Sequence, residues 1–314
     1  MAIDAERPVL PLAPEGRDTA EPTETRSLRP AAAPAPRWLP AALQLSPSVL
    51  FLAVFLVGPV AVFFVYSFWT VEAYDLAATW TLANYAEALT DPIYRSLFAQ
   101  TLVTAGGAAL VTVVVAYAFA HAIRFHLRRH QEFLLFLVVV ALFSGYLVRI
   151  YAWRTILGDG GVINGALLAL GVIGEPLSFL LFSRLATAIV LVNFLVPLAV
   201  LPIYAALQNV RDEEIEAARD LGASPASAFG RVTLPLAWNG IFAAFGFTFI
   251  IAAGDYVTPQ LVGGTQGGMI GRTIASTFGT AFNWPLGAAL SFLTLAFVLA
   301  ILGVLRFGFG RVVR

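Results

Sequence analysis

Cysteine and lysine are both absent from the 314 residues. Without cysteine there is no disulfide, no thiolate nucleophile and no Cys-ligated metal or iron–sulfur site. Without lysine there is no Schiff-base residue and no phosphate-loop lysine, so any ATP is bound by another subunit. Charge is sparse: charged residues make up 12% of the chain, against about a quarter in soluble domains. The 19 basic and 19 acidic residues cancel, so no general basic field exists and DNA and RNA are excluded as partners. Apolar surface is plentiful, with 59% hydrophobic residues and a mean hydropathy of +0.81. These residues fall in runs long enough for a bilayer, which takes about 20 residues of helix per crossing. The composition is that of a polytopic membrane protein.

Residues 1–45 carry eight prolines, five arginines and six acids, too polar a mixture to bury a core, and read as a disordered tail. The tail does not have the pattern of a signal peptide, so the first helix is expected to be an uncleaved anchor. Six apolar runs follow, at 46–70, 97–123, 133–153, 184–207, 236–258 and 285–307, and predict an all-α bundle of six spans over 46–309. An even number puts both termini on one side. Of the 19 arginines, 14 lie in the tail, after spans two and four, and at the C-terminal end, which makes that side cytoplasmic. Arg95, Arg149, Arg154, Arg184 and Arg272 fall on the other side, most of them near helix ends where they can snorkel. The stretch 162–182 is apolar but broken by Gly165, Gly171, Gly174 and Pro176, and predicts short interfacial or re-entrant helices instead of a seventh span.

Residues 208–235 form a long charged loop in a chain that otherwise spares charge. Asp212, Glu213 and Glu214 suit the positive end of a helix dipole, Gly222 suits a helix stop, and Ser224-Pro225 suits a new start. Ile215, Ala218 and Leu221 or Gly222 recur at three-to-four spacing, a narrow stripe able to lie in a partner's groove.

Glu216-Ala217-Ala218, three residues, Gly222, nine residues, Val232, one residue and Leu234-Pro235 resembles the EAA loop of binding-protein-dependent ABC importer permeases. Only Val232, in place of Ile, departs from that pattern. The resemblance implies the six-helix type I importer permease fold, with Glu216, Ala217, Ala218 and Gly222 on a coupling helix that docks into a cytoplasmic ATPase dimer. It also implies a second related permease subunit, an external solute-binding protein, ATP and Mg bound only by the ATPase, and an inner-membrane location with both termini cytoplasmic. Three further stretches are similar to the spermidine/putrescine type of permease: Val148–Trp153 with Gly158, Gly161 and Asn164; Gly254–Pro259 with Leu261–Gly264; and Asn283–Gly287. Opine, amino-acid-like and other small-solute permeases share similar pieces, so these solutes stand as alternatives.

Asp255 is the one acid inside a predicted span, and an intramembrane carboxylate is by default a functional candidate. Beside Tyr256 it suits a passing ammonium through charge and cation–π contact. The competing reading pairs Asp255 with Arg149 or Arg154, or makes it a cap of the outer turn. Asn193 reads as a packing residue, Pro197 and Pro202 as a bend, and Gly106-Gly107 as a close helix contact. His121, His126 and His130 lack the company a metal needs and read as surface residues. No catalytic constellation is present. An ion-driven transporter requires more intramembrane ligands than one acid, and an intramembrane enzyme requires a nucleophile, base or metal.

Overall fold

A computed structural model describes residues 38–72 and 75–309. The chain divides into two units, residues 1–54 and 55–314. In the first, α1 (Trp38–Leu52) passes through Pro47. The tail expected over 1–45 lies, up to residue 37, outside the described residues. In the second, α2 (Gly58–Tyr66) leads to a hairpin of β1 (Thr70–Glu72) and β2 (Asp75–Ala77), antiparallel with Val71 opposite Leu76. Then come α3 (Ala83–Thr90), α4 (Pro92–His121), α5 (Gln131–Leu142), α6 (Tyr146–Leu157), α7 (Val162–Ala169) and α8 (Arg184–Gln208). The chain ends with α9 (Asp212–Asp220), α10 (Pro225–Ala228), α11 (Leu234–Gly254), α12 (Ile270–Gly279) and α13 (Trp284–Phe309).

Local chemistry explains the helix starts. The Asp91 carboxylate accepts from the Ile93 amide at 2.7 Å, with Pro92 in the first turn, where its missing N–H is harmless. Ser183 Oγ accepts from the Ala186 amide at 3.1 Å and opens α8. Among the described residues, five helices are long and apolar enough to cross a membrane: Gln44–Tyr66, Pro92–His126, Arg184–Gln208, Pro225–Gly254 and Trp284–Gly308.

The third expected span differs. Instead of one helix over 133–153, Arg128–Leu142 and Tyr146–Ala169 meet at a 90° bend, and the count reaches six only with this bent pair as one span. Phe143-Ser144-Gly145 interrupts the ladder, and the Arg149 guanidinium donates to the Ala141 carbonyl, which also accepts from the Ser144 amide at 3.3 Å, and to the Phe194 carbonyl at 3.5 Å. A charge that is costly in an apolar helix is here hydrogen-bonded to backbone carbonyls inside the bundle. Three other arginines are similarly engaged: Arg184 on the Gln266 carbonyl, Arg272 on the Gly264 carbonyl, and Arg154 over the Phe182 ring. Over 162–182 the expected short helices are present as α7 and a single turn at Ser178–Leu180. Buried Asn164 fastens that segment, donating to the Gly158 carbonyl at 3.0 Å and accepting from the Leu177 amide at 2.8 Å.

The core sits where α4, α8 and α11 cross. Ala105, Ala108, Ala109, Ala116, Ala120, Ala199, Ala244 and Ala252 are buried there among Leu191, Leu195, Ile203 and Phe249. Small residues let backbones approach where lipid gives no hydrophobic push between helices. The tightest approach is at Gly240, where a Cβ would lie 2.3 Å from the Ala206 Cβ and 2.7 Å from the Pro202 carbonyl oxygen. Gly106 and Gly107, whose size allows a close approach, meet a looser one: a Cβ on Gly107 would meet nothing within 4 Å, and on Gly106 the Phe249 ring at 3.8 Å. α8 continues as one helix through Pro197 and Pro202. On the other side, α13 holds α2 through the Phe64–Phe292 ring pair and α12 through Phe278 against Gly287.

Candidate functional site

The charged loop folds as two short helices with a glycine turn, as its residues predict. Asp212, Glu213 and Glu214 occupy the first turn of α9, and the Glu214 carboxylate accepts from the Arg211 amide at 3.2 Å. At the other end the Gly222 amide donates to the Arg219 carbonyl (2.9 Å) and the Ala223 amide to the Ala218 carbonyl (3.0 Å), the paired bonds of a left-handed helix stop. Gly222 has φ +86°, a conformation that L side chains avoid, and a Cβ there would meet no atom within 4 Å. Ser224 Oγ then accepts from the Ser227 amide at 3.2 Å and starts α10, which runs through a widened turn at Phe229–Thr233 into α11.

Glu216, Ala217, Leu221 and Gly222 face outward, with Leu221 90% exposed. Ile215 and Ala218 are half-buried. The expected apolar stripe is therefore divided: its first two members turn partly inward, and Leu221 and Gly222 stand out. The loop is tied to the end of the second span. Arg124 Nη2 donates to the Val210 carbonyl at 3.0 Å and lies 3.3 Å from Asp212 Oδ1, while Arg128 binds Asp212 Oδ2. The hydrogen bond from Arg128, with the charges of both arginines, holds the Asp212 carboxyl below the usual carboxylate range.

Asp255 lies at the opposite end of the helix Pro225–Gly254, about 45 Å away at 1.5 Å per residue over its 30 residues. The fold therefore keeps the two predicted residue sets apart. Asp255 is half-buried and pairs with neither Arg149 nor Arg154. Its Oδ1 accepts from the Val257 amide (3.0 Å) and the Thr258 amide (3.4 Å), and its Oδ2 accepts from the Tyr146 hydroxyl at 2.6 Å. Since the single phenolic proton goes to the carboxylate, the Thr258 hydroxyl donates to Tyr146 across 2.8 Å. Asp255 thus closes α11 and caps the next helical segment. Tyr256 is 47% exposed and lines a cavity of about 390 Å³ with Gly271, Ile274, Ser291, Thr294 and Val298. A second cavity of about 660 Å³ is walled by α4 and α8 and includes Gly107, Val111, Trp153 and Asn193.

Tyr146, Thr258, Arg124 and Asp212 were not singled out as ligating or linking residues by sequence. The available signals were an arginine cluster at a span end, an acid opening a loop helix and a hydroxyl beside a glycine break. His126 and His130 are exposed, as expected, whereas His121 is half-buried and packs among Tyr117, Phe125, Phe229 and His126, the imidazoles 5.6 Å apart.

A family model described as "Binding-protein-dependent transport system inner membrane component" matches residues 132–314. The spermidine/putrescine transport system permease protein PotB of Escherichia coli (strain K12) is 35% identical over 231 residues, 74% of this chain and 83% of that protein. The inner membrane ABC transporter permease protein YdcU of the same strain is 32% identical, over 71% of this chain and 74% of its own. Among solved structures, a bacterial ABC transporter that imports alginate contains a chain similar in fold, with a TM-score of 0.68 at 16% identity, covering 88% of this chain and 96% of that one. The match of family model, relatives and fold establishes that the chain belongs to the binding-protein-dependent transport system inner membrane components, as a multi-pass, non-catalytic permease subunit of the ABC importer type.

Proposed function

We propose that the chain carries polyamines of the spermidine/putrescine class through the inner membrane, with both termini in the cytoplasm. The similarity to PotB, whose name states that substrate, supports the solute class. The partners in this reading are an ATPase dimer on the cytoplasmic side, a second related permease and an external solute-binding protein. The ATPase holds ATP and Mg. Its closure moves the coupling loop, and the bundle exchanges an inward-facing for an outward-facing opening, because the loop contacts the two ATPase states differently. The cytoplasmic assignment of the loop rests on the arginine asymmetry, since Arg124 and Arg128 sit against it.

The observation that carries the coupling role is the α9 end: Glu216, Ala217 and Gly222 exposed together, Ala218 behind them, and a left-handed glycine with open space in front of it. For the solute, Tyr256 lines a cavity wall where its ring can meet an ammonium, with Asp255 next to it in the chain. Serine and threonine hydroxyls at 291 and 294 line the same cavity beside apolar carbon suited to a methylene chain.

The test is uptake of labelled putrescine and spermidine in cells lacking the gene, complemented with wild type or Gly222→Trp. Restoration by wild type and uptake at the deletion background with Gly222→Trp, together with loss of ATPase-subunit pull-down, is expected. Uptake indifferent to the deletion, with redundant importers removed, overturns the solute. Undiminished pull-down by Gly222→Trp overturns the docking role.

A further inference from the structure

The coupling helix is joined by the chain to α8 through residues 209–211 and to α11 through α10 and Phe229–Thr233. It has no such covalent route to α4, whose end lies 84 to 86 residues earlier. That gap is closed by non-covalent contacts: α4 packs on α8 and α11 through the core, the Phe229 ring of the loop meets Tyr117 and His121, and at the very end of the helix a polar cluster binds the start of α9 directly. We infer that the Arg124–Asp212–Arg128 cluster is the joint through which movement of the coupling helix reaches α4, with Arg124 and Asp212 as positioning residues for the coupling step. The inference rests on the reading above in which α9 docks on the ATPase.

Four contacts make the joint. Arg124 donates to the Val210 carbonyl at 3.0 Å and pairs with Asp212 Oδ1 at 3.3 Å. Arg128 takes Asp212 Oδ2, and its Nε donates to the Arg124 carbonyl at 3.1 Å. An isolated pair of exposed charges contributes little. This one is a network: the Arg124 side chain is only 15% exposed, both carboxylate oxygens are used, and two cations converge on one anion. Removing Asp212 leaves two arginines facing each other and a largely covered guanidinium without its counter-charge. The end that they hold belongs to a helix continuous over the 35 residues Pro92–His126, about 50 Å long, so a displacement at Asp212 is delivered along its length. That helix supplies Gly107, Ala108, Val111 and Val115 to the 660 Å³ cavity wall, and its Thr101 accepts from the Ile270 amide of α12 at 2.8 Å. The joint therefore places cavity wall and outer segment under the control of the loop.

The absence of cysteine permits a direct test by spin labelling of the complete transporter. One label pair is Val114→Cys on α4 with Leu299→Cys on α13; the second is Phe247→Cys on α11 with the same Leu299→Cys, all exposed positions. Inter-label distances are measured without nucleotide and with Mg, ATP and vanadate. Wild type should show a nucleotide-driven shift in both pairs. Asp212→Ala and Arg124→Ala should lose the α4 shift and keep the α11 shift and ATPase pull-down, while Asp212→Glu restores the α4 shift. ATP hydrolysed per putrescine imported should rise at least tenfold in Asp212→Ala. An α4 shift that survives Asp212→Ala overturns the joint, as does loss of both shifts together with pull-down, which marks a merely structural role. Preserved shifts in Gly222→Trp overturn the docking reading instead, and that outcome is separable from failure of the joint.

Discussion

Two aspartates sit at opposite ends of the helical unit Pro225–Gly254, one beyond Gly254 and one before the loop that feeds Pro225, and their partners differ in kind. Asp255 is met by two backbone amides of its own segment and by the Tyr146 hydroxyl. Asp212 is met by two guanidinium groups, one from the end of the helix Pro92–His126 and one from the turn that follows it. The first set is neutral and mostly local, and it suits an apolar setting, where a polar group must be hydrogen-bonded at short range. The second set is charged and long-range in sequence, and it lies where water screens the charges. The contrast assigns them different mechanical duties. Asp255 fixes the shape of a helix break, whereas Asp212 links elements that the chain leaves separate.

Substitution at Asp255 should break the comparison most visibly. Asp255→Ala leaves two amides and the Tyr146 hydroxyl without an acceptor, a loss of about 3 kcal/mol from a cap and a strong hydrogen bond. The melting temperature of the purified protein should fall clearly, and Tyr146→Phe should fall less and be non-additive with it. Asp255→Asn separates shape from charge. Asn keeps an acceptor for the two amides, so the melting temperature holds, while polyamine uptake falls about tenfold if the carboxylate serves the ammonium. Wild-type uptake in Asp255→Asn makes Asp255 a cap alone and leaves Tyr256 as the solute contact.

Asn164 sharpens the contrast from the segment that follows α6. It is fully buried and bonded on both sides, to the Gly158 carbonyl and the Leu177 amide, and none of these partners is charged. Asn164→Ala leaves the Leu177 amide without its acceptor, while the Gly158 carbonyl keeps the Gly161 amide at 2.8 Å, at a cost of about 1–3 kcal/mol. The effect should be salt-independent, measured as melting temperature at low and high ionic strength, whereas any change at Asp212 should shrink in salt.

What was readable from sequence divides along the same line. The helix stop at Gly222, the start at Ser224-Pro225 and the acids opening α9 follow from rules acting over four residues, and all are present. Five spans appear close to their expected places because bilayer length and apolar runs are one constraint. The bend near Phe143 was hidden, since an apolar run over 133–153 looks the same straight or broken; Gly145 and a charged Arg149 inside it were its trace. Tyr146–Asp255 spans 109 residues and Arg124–Val210 spans 86, and no local pattern encodes such a pairing. Gly106-Gly107 shows the same limit: a small residue permits close contact, but the tight contact forms only where a neighbour is aimed at it, as at Gly240.

Acid should produce the smallest effect and the cleanest sign. The Arg128 hydrogen bond, with the charges of Arg124 and Arg128, holds the Asp212 carboxyl below its unfolded value. A carboxyl depressed on folding stabilises the native state above its unfolded pKa, about 3.9, and that contribution is lost as pH falls through the folded value. The difference in melting temperature between wild type and Asp212→Asn should therefore be flat from about pH 8 to 5 and shrink only below about pH 4. Glu213, Glu214 and Arg211 on the loop, and Arg124, Arg128 and His126 at the end of the second span, are common to both proteins, so their titration largely cancels in the difference. The shift is small because the carboxylate is 38% exposed and screened by water. A difference that vanishes already near pH 6 would assign the titration to the histidines instead, because imidazole is the group that changes charge there.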